Sequence, residues 1–126
     1  MSIERLAEVM LELQEAGCHN LGFVSPTHFV PQIVRSLDIA CRKGLRLPLV
    51  YNSNAYDSVE VLNSLEGIMD IYLPDLKYSD DAAAREYSKA PDYVRHSRAA
   101  VAEMFRQVGD GLVLDDCGLV RRGLII

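Results

Sequence analysis

Two hydrophobic periodicities alternate along the chain. Apolar residues spaced three and four apart predict helices, and short continuous apolar runs predict strands. Helices are predicted over residues 2–16, from Pro31 to Gly44, after Asp57 or Ser58, after Asp80 or Asp81, and from Asp92 or Tyr93 to Gly109. Strands are predicted over residues 21–24, 47–51, 68–73 and 112–114, the last followed by a tight turn at residues 115–118. Strands that alternate with helices indicate βαβ units and a parallel sheet.

The order of elements predicts the α/β fold class, with about four parallel strands in one domain, residues 1–126. The strands lack polar alternation, as expected where both faces of a sheet are covered. Two architectures fit: a small open doubly wound sheet, or part of a TIM-like β/α barrel. A complete eight-unit barrel needs roughly 200 residues or more, so a chain of 126 residues holds at most part of one.

Both ends of the sequence bear on this choice. The chain opens directly on a predicted helix, and residues 123–126 form an apolar run that resembles a strand. Natural termini are usually polar unless they are docked. The sequence therefore predicts either a truncated chain or a terminal strand buried in the sheet.

Composition narrows the class of protein. The hydrophobic fraction is 49%, the charged fraction 25% and the net charge −5, values typical of a globular domain without a basic nucleic-acid surface. No apolar run is long enough to span a membrane, and the acidic start is not a targeting peptide, so we expect a cytoplasmic protein. Cys18, Cys41 and Cys117 are too scattered for a disulfide framework or a metal-binding knuckle.

Polar residues follow all four predicted strands, where ligands bind in parallel α/β folds, and those after the fourth are Asp115 and Asp116. The candidate binding residues are Ser25, Thr27 and His28 after the first strand, Asn52, Ser53 and Asn54 after the second, and Asp75 and Lys77 after the third. A carboxylate suits ribose hydroxyls, and an ammonium suits a ligand carboxylate. Turn formation, helix capping and a surface ion pair remain simpler explanations for the same residues.

Other catalytic patterns do not occur. The sequence has no glycine-rich phosphate loop, no nucleophile–base pair and no metal-ligand motif among His19, His28 and His96. We therefore predict no catalytic residue and no metal ligand in this chain.

Six longer segments are more specific than these short patterns: residues 17–29, 50–58, 70–77, 87–93, 104–109 and 122–125. They resemble radical S-adenosylmethionine proteins, and among them the group named after pyruvate formate-lyase activating enzyme. The resemblance covers essentially the whole chain. It implies a partial β/α barrel, S-adenosylmethionine and a 4Fe–4S cluster as cofactors, and reductive cleavage of S-adenosylmethionine to a radical. It also implies a protein substrate, a glycyl-radical enzyme, for the intact protein.

The resemblance assigns roles to individual residues. Asp75 and Lys77 match the family's Asp-Leu-Lys segment, which implies contacts with the ribose and the methionine carboxylate. Residues 52–55 correspond to a family loop that can bind a monovalent cation, with Asn52 here in place of an aspartate. Residues 25–28 correspond only to a position on the same edge of the sheet.

One departure from the family limits these implications. Its cluster is held by a CxxxCxxC motif, which this chain lacks. We therefore expect the central portion of a radical S-adenosylmethionine enzyme, inactive by itself. The alternatives are a free-standing non-redox α/β binding or scaffold module and, third, a small flavodoxin-like domain. A partial barrel leaves sheet edges and apolar faces uncovered, so self-association is expected.

Overall fold

The computed structural model describes all residues, 1–126, as an α/β fold with five helices and five strands. The helices are α1 (Ile3–Glu15), α2 (Val30–Arg42), α3 (Val59–Ser64), α4 (Asp81–Ser88) and α5 (Tyr93–Val108), with a 3₁₀ turn at Thr27–Phe29 before α2. The strands are β1 (Leu21–Val24), β2 (Leu49–Ser53), β3 (Ile71–Pro74), β4 (Val113–Leu114) and β5 (Val120–Leu124). None of the helices combines the length and the apolarity needed to cross a membrane.

One sheet contains all five strands in the order β1-β2-β3-β5-β4. The first four in this order are parallel, with Leu21 opposite Leu49, Val50 opposite Ile71, and Ile71 opposite Gly123. β4 runs antiparallel to β5. The prediction of an α/β fold with a largely parallel sheet is confirmed, and the sheet is open.

The predicted strand at 112–114 and the tight turn after it are confirmed, but the prediction that this strand is the fourth parallel strand is wrong. The segment at 112–114 forms a hairpin with β5, and β5 takes the fourth parallel position beside β3. Asp115 closes the hairpin turn, because its backbone amide donates to the Leu119 carbonyl at 2.9 Å. A tight turn reverses the chain, so the strand before it cannot be parallel to the strand after it.

The helices pack on one face of the sheet. A single core cluster joins α1, α2, α3 and α5 to Leu21, Leu49, Tyr51 and Tyr72 of the first three strands. Side chains that point to the other face, including Val50, Ile71 and Leu73, line a cavity of about 320 Å³ together with residues from the hairpin segment and without any helix residue. The expectation that helices cover both faces of the sheet is therefore wrong.

Two strands begin later than the sequence predicts. β2 starts at Leu49 because Pro48 has no amide to donate, although its carbonyl accepts from Leu21 at 2.9 Å. β3 starts at Ile71 because Ile68 and Met69 still donate to the Leu65 carbonyl at the end of α3. β2 also ends two residues later than predicted, so Asn52 and Ser53 belong to the strand and not to the loop after it.

Candidate functional site

The ends of β1, β2 and β3 lie together at one edge of the sheet, called the carboxyl edge below. Backbone bonds continue between the segments that leave the strands: the Ser25 amide donates to the Asn52 carbonyl, and the Asp75 amide donates to the Ser53 carbonyl, each at 2.8 Å. The structure therefore brings the segments that carry the predicted site residues to this edge. Asn52 and Ser53 lie in β2, Thr27 and His28 lie in the 3₁₀ turn, and the others lie in loops.

A buried carboxylate lies beneath the carboxyl edge. The Asp57 side chain accepts hydrogen bonds from Thr27 at 2.7 Å, Tyr51 at 2.9 Å and Ser53 at 2.6 Å. Asp57 is only 2% exposed and forms no ion pair. Thr27 and Ser53 thus use their hydroxyl protons inside the protein, where they tie the loop after β1 to β2.

Burial next to this carboxylate changes the acidity of Tyr51. Burial first, and then the negative charge of Asp57, raise the pKa of Tyr51 above its ordinary value of 10.0. Both effects disfavour a phenolate in this position. Tyr51 therefore remains a hydrogen-bond donor to Asp57 at physiological pH.

A tyrosine of α5 connects the loops that follow β2 and β3. The Tyr93 hydroxyl donates to the Asn54 carbonyl at 2.6 Å and accepts from the Lys77 amide at 2.9 Å. Its ring stacks on Tyr56, with centroids 5.8 Å apart, and His96 meets Tyr56 edge-on. Tyr93 fixes the spacing between the Asn54 and Lys77 backbones.

The side chains of Ser25, His28 and Asn54 are exposed at the carboxyl edge. Together with Thr27 and Tyr56 they line a cleft of about 160 Å³. The Asn54 side-chain oxygen accepts from the Tyr56 amide at 3.0 Å, which leaves its NH₂ group without a protein partner. The cleft therefore offers hydroxyl, amide and imidazole groups to a polar ligand.

Asp75 and Lys77 lie beyond the end of β3 and form an ion pair. Their side chains are 57% and 54% exposed, and the carboxylate and ammonium are 3.5 Å apart. An exposed pair of this kind contributes about 0–1 kcal/mol to stability. A ligand that offers hydroxyls to Asp75 and a carboxylate to Lys77 can therefore break this ion pair at little cost in stability.

Asn52 points away from this network. Side chains alternate along a strand, so Asn52 lies on the opposite face from Tyr51 and Ser53, half-buried and without a side-chain hydrogen bond. It faces the side of the sheet that lacks helices. A ligand that reaches it must lie over that face.

Strained backbone is concentrated near the carboxyl edge. The four non-glycine residues with left-handed φ angles are Ser25 at 51°, Ala55 at 63°, Lys89 at 51° and Asp92 at 54°. Ser25 and Ala55 lie in the loops after β1 and β2, and the other two lie in the α4–α5 connection, whose residues contact Tyr56 and Tyr93. Such conformations cost about 1–3 kcal/mol each and cluster at functional sites, which supports a binding role for this edge.

Sequence reasoning missed two organising residues. It treats Asp57 as a helix cap and Tyr93 as a helix start, whereas Asp57 binds three hydroxyls and Tyr93 joins two loops. One signal was available for Asp57. Tyr51 and Ser53 share a face of β2 and both need buried partners, which Asp57 can supply.

The three cysteines do not fit an iron–sulfur cluster. Cys18 follows α1, Cys41 lies in α2 and Cys117 lies in the β4–β5 turn. The structure contains no group of three histidine, cysteine or acidic side chains that could hold a metal ion. Cluster chemistry therefore has no donor set in these residues.

Comparison with known proteins gives one relative without a described activity. No family model matches the sequence, and no solved structure shows significant similarity to it. Uncharacterized protein MJ0674 from Methanocaldococcus jannaschii is 33% identical over 76 residues. The match covers 59% of this chain and 22% of the length of that protein. The relative is thus several times longer than the matched segment.

Proposed function

We propose that this chain is the central portion of a radical S-adenosylmethionine protein similar to pyruvate formate-lyase activating enzymes, and that its carboxyl edge holds part of S-adenosylmethionine. One observation carries the proposal. The Asp75–Lys77 pair, which matches the family's Asp-Leu-Lys segment, lies exposed beside the loops that hold the other predicted binding residues.

The sheet supports a partial barrel over a doubly wound fold. The first three strands are added in sequence order, and the helices of the core cluster pack on one face of the sheet. A doubly wound sheet reverses its strand order and carries helices on both faces. In a β/α barrel the helices form an outer ring and the strands face inward. This arrangement disfavours the flavodoxin-like alternative.

The chemistry of the edge fits a zwitterionic nucleoside. In this proposal Asp75 accepts hydrogen bonds from the ribose hydroxyls and Lys77 donates to the methionine carboxylate, and their exposure at the edge supports both roles. The cleft of about 160 Å³ is smaller than the usual 300–1,000 Å³ of ligand pockets. The ligand would therefore extend from the cleft across the edge to Lys77, passing Asn54 and Tyr56, which line both this cleft and the smaller one beside Lys77.

The chain is proposed to bind and orient the nucleoside without redox chemistry of its own, because its cysteines do not fit a cluster. A protein substrate of the glycyl-radical class belongs to the proposal for the intact protein only. The cysteine placement also supports the second candidate, a non-redox α/β binding module. Iron and sulfide analysis of the natural protein, purified without oxygen, separates the two candidates.

Titration calorimetry with S-adenosylmethionine tests the proposed site. We expect the wild-type chain to bind, and we expect Lys77→Ala and Asp75→Asn each to weaken binding about tenfold, since each removes one charge-assisted contact of about 1.5–3 kcal/mol. Lys43→Ala and Asp38→Asn are matched controls, because both residues are exposed in or next to α2, away from the carboxyl edge. Absence of binding by the folded wild-type chain, or equal loss in the controls, contradicts the proposal.

A further inference from the structure

The segment after β3 that carries the proposed ligand contacts is held at two points. The Asp75 amide donates to the Ser53 carbonyl of β2 at 2.8 Å. The Lys77 amide donates to the Tyr93 hydroxyl at 2.9 Å and to no other group. The sheet therefore fixes the backbone at Asp75, whereas a side chain of α5 fixes the backbone at Lys77.

Tyr93 itself has a defined position at the start of α5. It is 2% exposed. Its ring packs against the rings of Tyr56 and Tyr78, with centroid distances of 5.8 Å and 5.5 Å. The next amide along the helix, that of Val94, donates to the Asp81 carboxylate of α4 at 2.9 Å. Contacts outside α5 thus hold both the ring and the helix end, which keeps the hydroxyl in place.

The Tyr93 hydroxyl lies where the loops after β2 and β3 meet. It donates to the Asn54 carbonyl at 2.6 Å while it accepts from the Lys77 amide. The Asp75 carbonyl is a further 3.3 Å neighbour. A phenylalanine at this position would keep the ring contacts and remove only the bonds to these backbone groups.

The separation of the two loops matters for the proposed ligand. Asn54, Lys77 and Tyr93 are among the residues that line the small cleft of about 140 Å³ at this junction. A ligand that passes Asn54 reaches Lys77 with its carboxylate only if the two residues are correctly spaced. Binding groups need neighbouring side chains that hold them within about 0.5 Å of their productive position. The Tyr93 hydroxyl is the group that supplies such support to Lys77.

We propose that Tyr93 is a positioning residue for Lys77. Its hydroxyl places the Lys77 backbone relative to Asn54 and so makes the carboxyl edge selective for nucleosides that carry a carboxylate. The inference rests on the proposed nucleoside site. The hydroxyl acts through Lys77, because its own hydrogen bonds go to backbone groups.

Titration calorimetry of Tyr93→Phe with two nucleosides tests this role. S-adenosylmethionine carries the carboxylate, whereas 5′-methylthioadenosine lacks it. We expect Tyr93→Phe to weaken binding of S-adenosylmethionine about fivefold, as the loss of one hydrogen bond predicts, and to leave the dissociation constant of 5′-methylthioadenosine unchanged. Combined with Lys77→Ala, the same substitution should have no further effect, because the side chain that Tyr93 positions is then absent.

Tyr72→Phe is the matched control, because it also removes the hydroxyl bond of a buried tyrosine, in this case to Gln107 and away from the carboxyl edge. It is expected to leave both dissociation constants unchanged. Circular dichroism confirms that each variant is folded before its binding is compared.

Hydrogen exchange supplies a readout that needs no ligand. In Tyr93→Phe the Lys77 amide should exchange at least about tenfold faster than in wild type, because its acceptor is gone. The Ser25 amide, which donates to the Asn52 carbonyl, should not change.

The outcomes separate this inference from the proposed function. A folded wild-type chain that does not bind S-adenosylmethionine contradicts the proposed function, and the inference falls with it. The positioning role alone is overturned if wild type binds and Tyr93→Phe binds equally well, weakens both nucleosides alike, or adds its full effect to that of Lys77→Ala. Unchanged exchange of the Lys77 amide overturns it as well.

Discussion

At the scale of single residues, Asp57 is a buried carboxylate that hydroxyl groups, and no cation, stabilise. Its three donors come from two segments: Thr27 lies before α2, and Tyr51 and Ser53 lie in β2. Hydrogen bonds to a charged group are worth about 1.5–3 kcal/mol each, which offsets the cost of burial. Removal of the carboxylate leaves three hydroxyls without their acceptor.

We expect Asp57→Ala to lower the free energy of unfolding by about 3 kcal/mol, because a buried network loses its common acceptor. Urea denaturation followed by circular dichroism measures the change. Asp38→Ala is the control, since Asp38 forms an exposed pair with Arg42 and should cost less than about 1 kcal/mol. Equal destabilisation by the two variants contradicts a special role for Asp57.

Local sequence leaves the role of Asp57 open. A capping pattern fits either Asp57 or Ser58, and the structure shows that Ser58 is the cap, since its hydroxyl accepts from the Val61 amide at 3.2 Å. Asp57 is then free to turn inwards. Its burial depends on Thr27, thirty residues earlier, and no local pattern reports a contact at that distance.

At the scale of elements, polar bonds at the C-terminal end of α5 hold this helix against α3 and β3. Gln107 donates to the Leu62 carbonyl at 2.7 Å and accepts from the Tyr72 hydroxyl. Glu103 accepts from both Gln107 and Arg106, and Arg106 also reaches Glu66 at 2.9 Å. The helix is therefore anchored by a network that contains ionised groups.

This network predicts an acid-dependent loss of stability. Hydrogen bonds from Arg106 and Gln107 lower the pKa of Glu103 from 4.5 to about 2. A lowered pKa means that the folded state binds the proton more weakly than the unfolded state. The stabilisation is therefore complete above about pH 4.5 and is lost as the pH falls towards 2.

Urea denaturation at several pH values checks this expectation, with Glu103→Gln as the comparison. The free energy of unfolding of the variant should fall less steeply than that of wild type between about pH 4.5 and 2. Identical slopes would show that Glu103 does not contribute. Glu4→Gln is a suitable control, because Glu4 makes no ion pair or side-chain hydrogen bond.

Elements defined by local signals could be predicted from the sequence, and those defined by distant pairing could not. α1 runs as expected, because Ser2 caps it by accepting from the Arg5 amide at 3.1 Å. β1 matches its predicted bounds. The parallel orientation predicted for the 112–114 segment was wrong, because the orientation of a strand is set by its pairing partner. The partner is β5, which follows the turn, and the apolar run at 112–114 would look the same in a parallel or an antiparallel strand.

At the scale of the whole molecule, the core between the helices and the sheet is centred on two tyrosines. Tyr51 and Tyr72 are fully buried and meet edge to face, with ring centroids 5.9 Å apart. Burial is the main cause that raises the pKa of both above 10.0. Ionisation of either ring would put a charge into the core.

We therefore expect an alkaline limit to stability. A raised pKa means that the folded state keeps the phenol proton longer than the unfolded state, so stability is complete below about pH 10 and falls as the pH rises further. Tyr72→Phe should make this fall shallower, although the loss of the bond to Gln107 costs stability at neutral pH. Absorbance of phenolate, recorded with circular dichroism during a pH titration, checks whether these rings ionise as the fold is lost. Ionisation of all six tyrosines without unfolding contradicts the prediction.

The sequence could predict where the candidate site lies, but not which of its side chains are free to bind a ligand. Parallel strands bring their ends to one edge, so residues 25, 54, 75 and 77 meet as expected. The sequence could not show that the Thr27 and Ser53 hydroxyls donate their hydrogen bonds to Asp57. Nor could it show that Asn52 points to the other face, because the continuous apolar run before it does not reveal which of the alternating residues face the core.

The strand pairing also sets an order of assembly. β1 with β2 and β2 with β3 pair four residues each, and their first partners, Leu21 with Leu49 and Val50 with Ile71, are fewer than thirty residues apart. β3 with β5 pairs two residues across a longer loop, from Ile71 to Gly123. Closing the longer loop costs up to about 1 kcal/mol more, and fewer hydrogen bonds compensate for this cost.

The first three strands should thus form the part that folds early and opens last, with β5 joining late. Native-state hydrogen exchange should find the Val120–Leu124 amides opening at a lower free energy than those of Leu49–Ser53.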